Sequence, residues 1–512
     1  MSLKKLQNKY KFFFFLPLLF YLGKRSLIAY DEGFYYLQSR WILEKGNWIM
    51  PMWFDQVYLD RTIAIQYLLA LSQKYFGNSL FTIYLPIAFA SLLMLLFTYE
   101  LHKELIKDDS PIYSSFILST TFLWINFTHQ ATQDMIFASI VTLGVLSSIK
   151  ASKTKNILFF ILSGAWIGLS AIFKTYLVVI PFLAIFPFLV KSKIIKNKYF
   201  WFGILLGFIP FLLWSYNIIF NYSLETYNGL FEKLIMLSKN NTFTNPFYYY
   251  IWNLSINIFP WTILSFLGFL QSRKLNNNAK YFLFIYPLLI IFQLSIFSTK
   301  TPYYPLQILP LIAINTYLGI QYIIKNKKNK VIFYTDKFNY FIIPLITFIG
   351  ILIINFSDLT IIDSRAKILI NIGGLSFCIS WLLFNTLKKK KQKIFITILG
   401  PYLLILMLVQ SGLITDRSKA LRLASEELIK SENLRTITPK IVKSEITDND
   451  SLSKIIKIMI KMPNIGSGIN NLDNLETNEY AWTTSNIDNL ENNYYIISEN
   501  ILFKPWKLIR KK

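Results

Sequence analysis

The chain has 512 residues, of which 54% are hydrophobic and 16% charged, and its formal net charge is +25. Soluble domains usually carry about 25% charged residues, so this composition excludes an ordinary soluble protein and indicates a protein of the lipid bilayer. The single cysteine, Cys378, excludes an intramolecular disulfide and makes a cysteine-based metal site implausible.

Long apolar segments recur along the chain, and most reach or approach the roughly 20 residues that a helix needs to cross a bilayer. The first, at 12–22, resembles a signal peptide, but no small-residue cleavage site follows before Asp31. We therefore interpret it as a retained membrane helix. The predicted fold class is an all-α polytopic membrane protein with about thirteen transmembrane helices. These helices are 10–29, 79–101, 111–128, 135–149, 157–173, 175–190, 199–220, 247–270, 281–298, 303–324, 338–357, 367–387 and 394–414.

Basic residues cluster in alternate connections between these helices, which is typical of membrane topology and not of a nucleic-acid surface. By the positive-inside rule the clustered connections are cytoplasmic. With the N-terminus inside and an odd helix count, the first connection and the C-terminal segment lie outside. The clusters are at 103–107, 150–155, 191–198, 273–280, 325–330 and 388–393.

The two long outer segments differ in character. The outer loop 30–78 contains two amphipathic stretches, 32–45 and 63–76, which we predict to be helices lying in the membrane interface. The composition changes sharply after residue 414, where charged and Asn-rich stretches surround a helix-like piece at 418–430 and a strand-like piece at 494–498. We therefore expect a transmembrane domain at 1–414 and a small soluble α/β domain at 415–512 on the outer face.

Ionisable side chains collect at the predicted outer helix ends. Each alone has an ordinary explanation: an acidic residue caps a helix, a lysine anchors at the interface, and a lone histidine is solvated or capped. Charged groups at this depth usually face a protein cavity, and mixed carboxylates and cations suit a reaction with an anionic leaving group and a hydroxyl or amine nucleophile. The residues are Asp31, Glu32, Asp55, Asp60, Arg61, His129, Asp134, Lys174, Lys300, Tyr303 and Tyr304.

Short motifs in the first outer loop resemble a known family. The segments 30–32 (YDE), 46–51 (GNWIMP) and 58–61 (YLDR) are similar to the first outer loop of the aminoarabinose transferase and protein O-mannosyltransferase (PMT) family of GT-C glycosyltransferases. Their order matches the family's pattern, in which an acidic pair precedes G-D-W and a later acidic residue precedes Lys-Pro. The first loop therefore carries the start of the resemblance.

Three later motifs continue this resemblance, which covers roughly residues 1–325. Residues 133–135 (QDM) resemble the family's acidic position between two helices. Residues 173–175 (FKT) resemble its T-K-G, and residues 300–305 (KTPYYP) its K-x-P-x-Y-x-x-P. The remainder of the chain matches the family only in architecture.

The sequence departs from the family at three points. The family's Lys-Pro is Arg61-Thr62 here, which keeps the cation but loses the ring that fixes the backbone. The glycine after the later lysine is Thr175. The histidine metal ligand of some members has no obvious counterpart, so we assign no metal ligand; a divalent cation stays open as a cofactor, although no obvious ligand set supports it.

The resemblance implies a GT-C enzyme of the bacterial inner membrane. It implies inverting transfer of a sugar from a polyprenyl-phosphate donor to a lipid, glycan or protein acceptor at the outer face, with no role for nucleic acid. Asp31 would be the general base, and Glu32 or Asp60 would position it. The cations Arg61, Lys174 and Lys300 would hold the leaving phosphate, with Asp134, Tyr303 and Tyr304 in support.

Two other classes remain open. A transporter or flippase of a lipid-linked or anionic solute needs ionisable residues near the bilayer midplane, broken helices and paired repeats, whereas the predicted helices are mostly free of charge at their centres. The second class is a catalytically silent sensor or assembly subunit. Its best support is Arg61-Thr62, which departs from the family's Lys-Pro.

Overall fold

The protein is described by a computed structural model in which helices fill most of the chain and a small sheet follows near the C-terminus. The predicted fold class, an all-α polytopic membrane protein with a small C-terminal α/β part, is confirmed. The residues that the structure describes are 11–22, 27–59, 61–107, 110–239, 244–326, 329–356, 363–413, 416, 418–432, 434–485 and 493–512.

Within that part of the chain, nine helices are long and apolar enough to cross a membrane, or ten if one bent pair counts as a span. The predicted total of about thirteen therefore stays a prediction. One of the nine, Ile157–Lys191, divides into α7 (Ile157–Lys174) and α8 (Val179–Lys191). The other eight are α3 (Leu80–Leu105), α6 (Gln133–Thr154), α9 (Lys198–Asn221), α13 (Asn277–Ile296), α14 (Tyr304–Lys325), α15 (Lys330–Phe356), α16 (Ser364–Asn385) and α17 (Lys390–Ser411).

Broken helices, and the counting of Ile157–Lys191 as one region where two helices were predicted, account for most of the difference in number. The predicted helix 111–128 forms two short helices, α4 (Ile112–Ser119) and α5 (Phe122–Thr128). The region Ile157–Lys191 is too long for one straight span, since 35 residues of helix extend about 50 Å. It breaks at Thr175, where φ is 45° and ψ is −117°. Of the first predicted helix, 10–29, the structure describes a 3-10 segment, Lys11–Leu19.

The bent pair is α11 (Tyr249–Asn257) and α12 (Thr262–Ser272), which meet at 115°. Pro260 lies in the break, and the residue before a proline is disfavoured in helical conformation, so the chain turns there. The helix preceding this pair, α10 (Leu224–Lys239), lies between the predicted membrane helices 199–220 and 247–270.

Glycines bring several helix backbones into direct contact, as small residues do in membrane bundles. An added Cβ on Gly203 of α9 would lie 2.1 Å from the carbonyl oxygen of Ile161 on α7. An added Cβ on Gly319 of α14 would lie 1.9 Å from the carbonyl oxygen of Leu264 on α12. These contacts fix α7 and α14, two of the helices that border the site described below.

The first outer loop folds into α1 (Phe34–Lys45), a short hairpin of β1 (Met52–Trp53) and β2 (Gln56–Val57), and α2 (Ala64–Phe76). The two helices match the amphipathic stretches of the sequence. However, all residues of 35–42 in α1 are buried, so this helix packs inside the protein and presents no apolar face to lipid over that stretch.

The C-terminal segment contains α18 (Lys419–Ser431), α19 (Asn449–Met459) and a five-stranded sheet. The strands follow the order β4-β3-β5-β7-β6, and β3 pairs in parallel with β4 and β5 while β7 pairs antiparallel with β5 and β6. Helix α19 connects the parallel strands β3 and β4. The strands are β3 (Lys440–Val442), β4 (Gly468–Ile469), β5 (Tyr480–Thr483), β6 (Tyr494–Ser498) and β7 (Lys507–Lys511).

Candidate active site

Asp31 occupies an unusual backbone conformation just before α1. Its φ is 55° and its ψ is −79°, in the half of conformational space that side chains other than glycine rarely adopt. Such conformations cost of order 1–3 kcal/mol and are concentrated at functional sites, where the surroundings hold them. The turn lies at the wall of a cavity, and the Asp31 side chain is 44% exposed.

Glu32 points the other way, into the protein, and is 1% exposed. One carboxylate oxygen accepts the backbone N–H of Ile28 at 3.0 Å. The other accepts the hydroxyl of Tyr84 at 2.9 Å and the backbone N–H of Ala131 at 2.7 Å. These charge-assisted hydrogen bonds fasten the Asp31 turn to α3 and to the connection before α6. Glu32 is absent from the cavity lining, so its position suits holding the turn and not contacting a substrate.

The cavity has a volume of about 840 Å³ and lies at the ends of several helices. Its charged lining residues, among those the structure describes, are Asp31, Arg61, Lys174 and Lys300. Tyr303 and Tyr304 also line it. Residues that are far apart in sequence therefore face one space that is large enough for the head of a lipid-linked sugar.

Two of the three cations are paired with carboxylates. Arg61 donates from Nη1 to Oδ1 of Asp31 at 2.8 Å and also donates to the hydroxyl of Tyr35. Lys174 Nζ lies 2.6 Å from Oδ1 of Asp134, and both side chains are about nine-tenths buried. Lys174 also lies 5.1 Å from the centroid of the Tyr303 ring, within the range of a cation–π contact.

Lys300 is held differently. It is 4% exposed, and its ammonium donates to the backbone carbonyls of Asn245 at 2.8 Å and Phe297 at 2.5 Å. No carboxylate of the described residues lies within ion-pair distance of it. Burial lowers the pKa of Lys300, because desolvation disfavours the charged form. The described charges of the cavity, with Asp134 behind Lys174, therefore sum to one net positive charge when Lys300 is protonated.

The remaining predicted residues lie away from this cavity or outside the described part. Asp60 falls outside the residues that the structure describes. Asp55 pairs with Lys45 at 3.2 Å on the surface. His129 is 1% exposed, and its ring nitrogens lie 2.9 Å from the Ile125 carbonyl oxygen and 3.2 Å from the Phe20 carbonyl oxygen. We expected a solvated or capped histidine; the ring is buried, and His129 is the C-terminal cap residue of α5.

Sequence reasoning missed two contributors to the site. Tyr35 follows Asp31 by four residues, and this spacing could have suggested it as a neighbour of Arg61. Asn245 accepts the Lys300 ammonium with its backbone carbonyl and donates its side-chain amide to the Lys300 backbone carbonyl at 3.3 Å, and no sequence pattern marks such a role. In the described part of the chain, no group of three His, Cys, Asp or Glu side chains could hold a metal ion.

Comparisons with known proteins agree with this fold. Residues 60–216 match the family model described as dolichyl-phosphate-mannose-protein mannosyltransferase. The chain is 28% identical over 330 residues to an undecaprenyl phosphate-alpha-4-amino-4-deoxy-L-arabinose arabinosyl transferase from Wigglesworthia glossinidia brevipalpis, with 59% of this chain and 57% of that protein covered. A protein of the same name from Yersinia pestis (strain Pestoides F) is 25% identical over 312 residues, covering 59% and 56%. The matched region is therefore less than two thirds of either relative.

A solved structure resembles the whole chain. ArnT from Cupriavidus metallidurans bound to undecaprenyl phosphate superimposes with a TM-score of 0.76 and covers 99% of this chain and 98% of that one. At 12% sequence identity this likeness shows the fold. Together with the sequence matches, it confirms the resemblance to the aminoarabinose transferase and PMT family of GT-C glycosyltransferases.

Proposed function

Because the chain has a GT-C fold with the motifs of the aminoarabinose transferase and PMT family, we propose that it is an inverting glycosyltransferase of a bacterial inner membrane. It moves a sugar from a polyprenyl-phosphate donor to a lipid, glycan or protein acceptor at the outer face. The observation that carries this proposal is the single cavity lined by Asp31, Arg61, Lys174 and Lys300.

The charges of the cavity suit a phosphate leaving group. Arg61 and Lys174 each have a carboxylate partner, whereas Lys300 has backbone carbonyls as its described partners. A donor phosphate between these cations compensates the net positive charge. Fixed cations in a site shielded from water stabilise the negative charge that develops on the phosphate as it leaves.

The transfer itself is one displacement at the anomeric carbon. Asp31 accepts the proton of the acceptor hydroxyl or amine, and the freed electron pair forms the new bond to that carbon. The bond from the anomeric carbon to the phosphate oxygen breaks, and its electrons leave with the polyprenyl phosphate. Arg61 pairs with Asp31 and lines the same cavity as Lys174 and Lys300, so it links the base to the cations that hold the leaving phosphate.

Mass analysis of envelope glycans and glycolipids tests this function in cells that carry the wild-type gene, no gene, or the Asp31→Asn variant. We expect one sugar to be missing from one acceptor class without the gene. Asp31→Asn should reproduce that loss, because removal of a general base slows a reaction by about 10² to 10⁴.

Asp55→Asn is the matched control. Asp55 lies in the same outer loop, also has a positive φ and also pairs with a cation, but it does not line the cavity. Its variant should leave the envelope unchanged. Identical glycans with and without the gene, or a well-folded Asp31→Asn protein with near-normal product, would contradict the proposed function.

A further inference from the structure

Helix α19 of the C-terminal segment is bound to α1 through a buried arginine. Arg40 of α1 is 2% exposed and donates from Nη1 to the carbonyl of Met462 at 2.8 Å and from Nη2 to the carbonyl of Pro463 at 2.5 Å. Its charge is balanced within α1 by Glu44, whose Oε1 lies 3.0 Å from Nη2. The two carbonyls belong to the turn that follows α19, beyond its last residue, Met459. Arg40 therefore holds this end of α19 against α1.

The middle of α19 rests on the backbone of the site turn. An added Cβ on Gly33 would lie 2.7 Å from Cγ2 of Ile456 and 3.2 Å from Cδ1 of Ile460. Both isoleucines are buried. Gly33 is thus a position where the absence of a side chain lets α19 approach the main chain, two residues after Asp31.

The beginning of α19 reaches the wall of the cavity. The hydroxyl of Tyr30 donates to the carbonyl of Asn449 at 2.5 Å, and Tyr30 lines the same cavity as Asp31. Contacts at residues 30, 33 and 40 thus follow one another along α19 from its first residue to the turn beyond its end. Asp31 lies between the first two of these contacts.

We propose that α19 is part of the catalytic machinery, because it fixes the turn that presents Asp31, and that Arg40 is a positioning residue for the transfer reaction. This inference rests on the proposed function. A strained conformation such as that of Asp31 persists only where its surroundings determine it. Glu32 holds the turn against α3 and the connection before α6, and α19 of the C-terminal segment packs on the same turn at Gly33.

If α19 acts in this way, loosening it should affect transfer and donor binding differently. The donor phosphate is held by cations on other elements, so loosening α19 leaves donor binding intact and slows transfer. If Arg40 served folding alone, its replacement would lower overall stability and reduce donor binding and transfer together. Two measurements distinguish these explanations: hydrogen–deuterium exchange of the turn that carries Asp31, and recovery of product in the variant Arg40→Lys.

The experiment uses the full-length protein and the variants Arg40→Gln and Arg40→Lys. Hydrogen–deuterium exchange of segment 27–33 reports the turn, binding of undecaprenyl phosphate reports the donor site, and sugar product per amount of protein in cells reports transfer. Arg40→Gln should speed exchange of the turn about tenfold and lower product about tenfold, since small misplacements of reacting groups cost up to about 10²-fold. Its affinity for undecaprenyl phosphate should stay within about twofold of wild type.

Arg40→Lys should restore most of both losses, because an ammonium can still donate to the two carbonyls. Lys440→Gln is the control: it removes a cation of the C-terminal sheet that pairs with Glu479 at 2.7 Å, and it should change nothing in segment 27–33. Ile456→Ala tests the same inference without touching Arg40, and serves if Arg40→Gln fails to fold. It should also loosen the turn.

Wild-type exchange and wild-type product in both Arg40→Gln and Ile456→Ala would overturn the inference. Loss of undecaprenyl phosphate binding in parallel with product would also overturn it, since α19 would then act on the donor site or on folding. Failure of the proposed function is distinguishable. It would show as no undecaprenyl phosphate binding by the wild-type protein, while the exchange of segment 27–33 would still report whether α19 fixes the turn.

Discussion

Lys300 is the residue whose chemistry depends most directly on its surroundings. Burial lowers its pKa from the ordinary lysine value of 10.5, and its described hydrogen-bond partners are backbone carbonyls. On the proposed role of Lys300, only its protonated amine holds the donor phosphate, so donor affinity should be full below the lowered pKa and decline as the pH rises through it. The same shift means that charging Lys300 opposes folding. The protein without donor should therefore gain stability as the pH rises from the lowered pKa of Lys300 to the ordinary value of 10.5.

The dissociation constant for undecaprenyl phosphate, measured upward from about pH 8, tests this prediction, because the phosphate is then fully ionised above its second pKa of about 6. Lys300→Arg should keep its affinity to higher pH than wild type, since a guanidinium stays protonated. Lys300→Gln should bind weakly at every pH. A flat wild-type curve, or the same decline in Lys300→Arg, would show that Lys300 does not hold the phosphate.

The sequence identified residues with the right chemistry but not all of their partners. The resemblance gave Asp134 a supporting role beside the cations, and it pairs with Lys174; Asp60, expected to position Asp31, lies outside the described residues. The pairing of Arg61 with Asp31 was not predicted. Both residues follow from motifs, but their contact depends on a backbone conformation at Asp31 that hydropathy and spacing do not encode.

At the scale of single elements, the length of the apolar runs predicted the positions of the helices well, but it did not predict where the helices break. Helix α9 spans Lys198–Asn221 against a predicted 199–220, because its apolar run is uninterrupted. The run at 111–128 looks equally continuous, yet it divides. Thr120 donates to the Phe116 carbonyl at 3.0 Å and Thr121 to the Leu118 carbonyl at 2.8 Å, so side-chain hydroxyls bond to helix carbonyls at the break.

The contact between α7 and α9 gives a prediction for helix packing. Gly203→Ala would place a Cβ 2.1 Å from the Ile161 carbonyl oxygen, far inside normal contact distance, so the helices must separate. We expect a loss of about 1–3 kcal/mol, the usual cost of overpacking a filled interface. Because α7 ends at Lys174, weaker undecaprenyl phosphate binding should accompany the loss. Thermal unfolding of the two proteins in detergent measures the loss of stability.

Gly350→Ala is the control for that substitution. Gly350 lies in α15, and nothing lies within 4 Å of an added Cβ. Alanine is the better helix residue, so this variant should be neutral or more stable by about 0.5–1 kcal/mol. Equal melting temperatures for Gly203→Ala and wild type would mean that α7 and α9 do not pack as closely as described.

At the scale of the whole molecule, the placement of the C-terminal segment could not be predicted. The helix at 418–430 and the strand at 494–498 were readable from local pattern, and α18 and β6 occupy these positions. Nothing in the local pattern of 449–459 indicates that it packs on Gly33, more than 400 residues earlier. Such long-range contacts depend on the three-dimensional fold and leave no periodic signal in one sequence.

The orientation in the membrane remains a prediction that cysteine labelling can test. With Cys378 replaced by alanine, single cysteines introduced as Asp55→Cys and Ser418→Cys should react with a membrane-impermeant maleimide in intact cells. Lys196→Cys and Lys390→Cys should react only after the membrane is opened, because their lysine clusters favour the cytoplasm. The contact between Tyr30 and Asn449 already requires one common side for the first loop and the C-terminal segment. Labelling of Lys390→Cys and Ser418→Cys from the same side would contradict the topology.

The central claim is that one cavity binds a polyprenyl phosphate through three cations. Native mass spectrometry of the purified protein with undecaprenyl phosphate and with undecaprenol, which lacks the phosphate, tests it most directly. The wild-type protein should prefer the phosphate, and Arg61→Gln, Lys300→Gln and the paired change Lys174→Gln with Asp134→Asn should each reduce that preference at least about tenfold, the loss expected for one charge-assisted contact. Lys45→Gln, which removes a surface cation of the same outer loop, should leave it unchanged. Equal binding of the two lipids, or variants that all keep the wild-type preference, would contradict the claim.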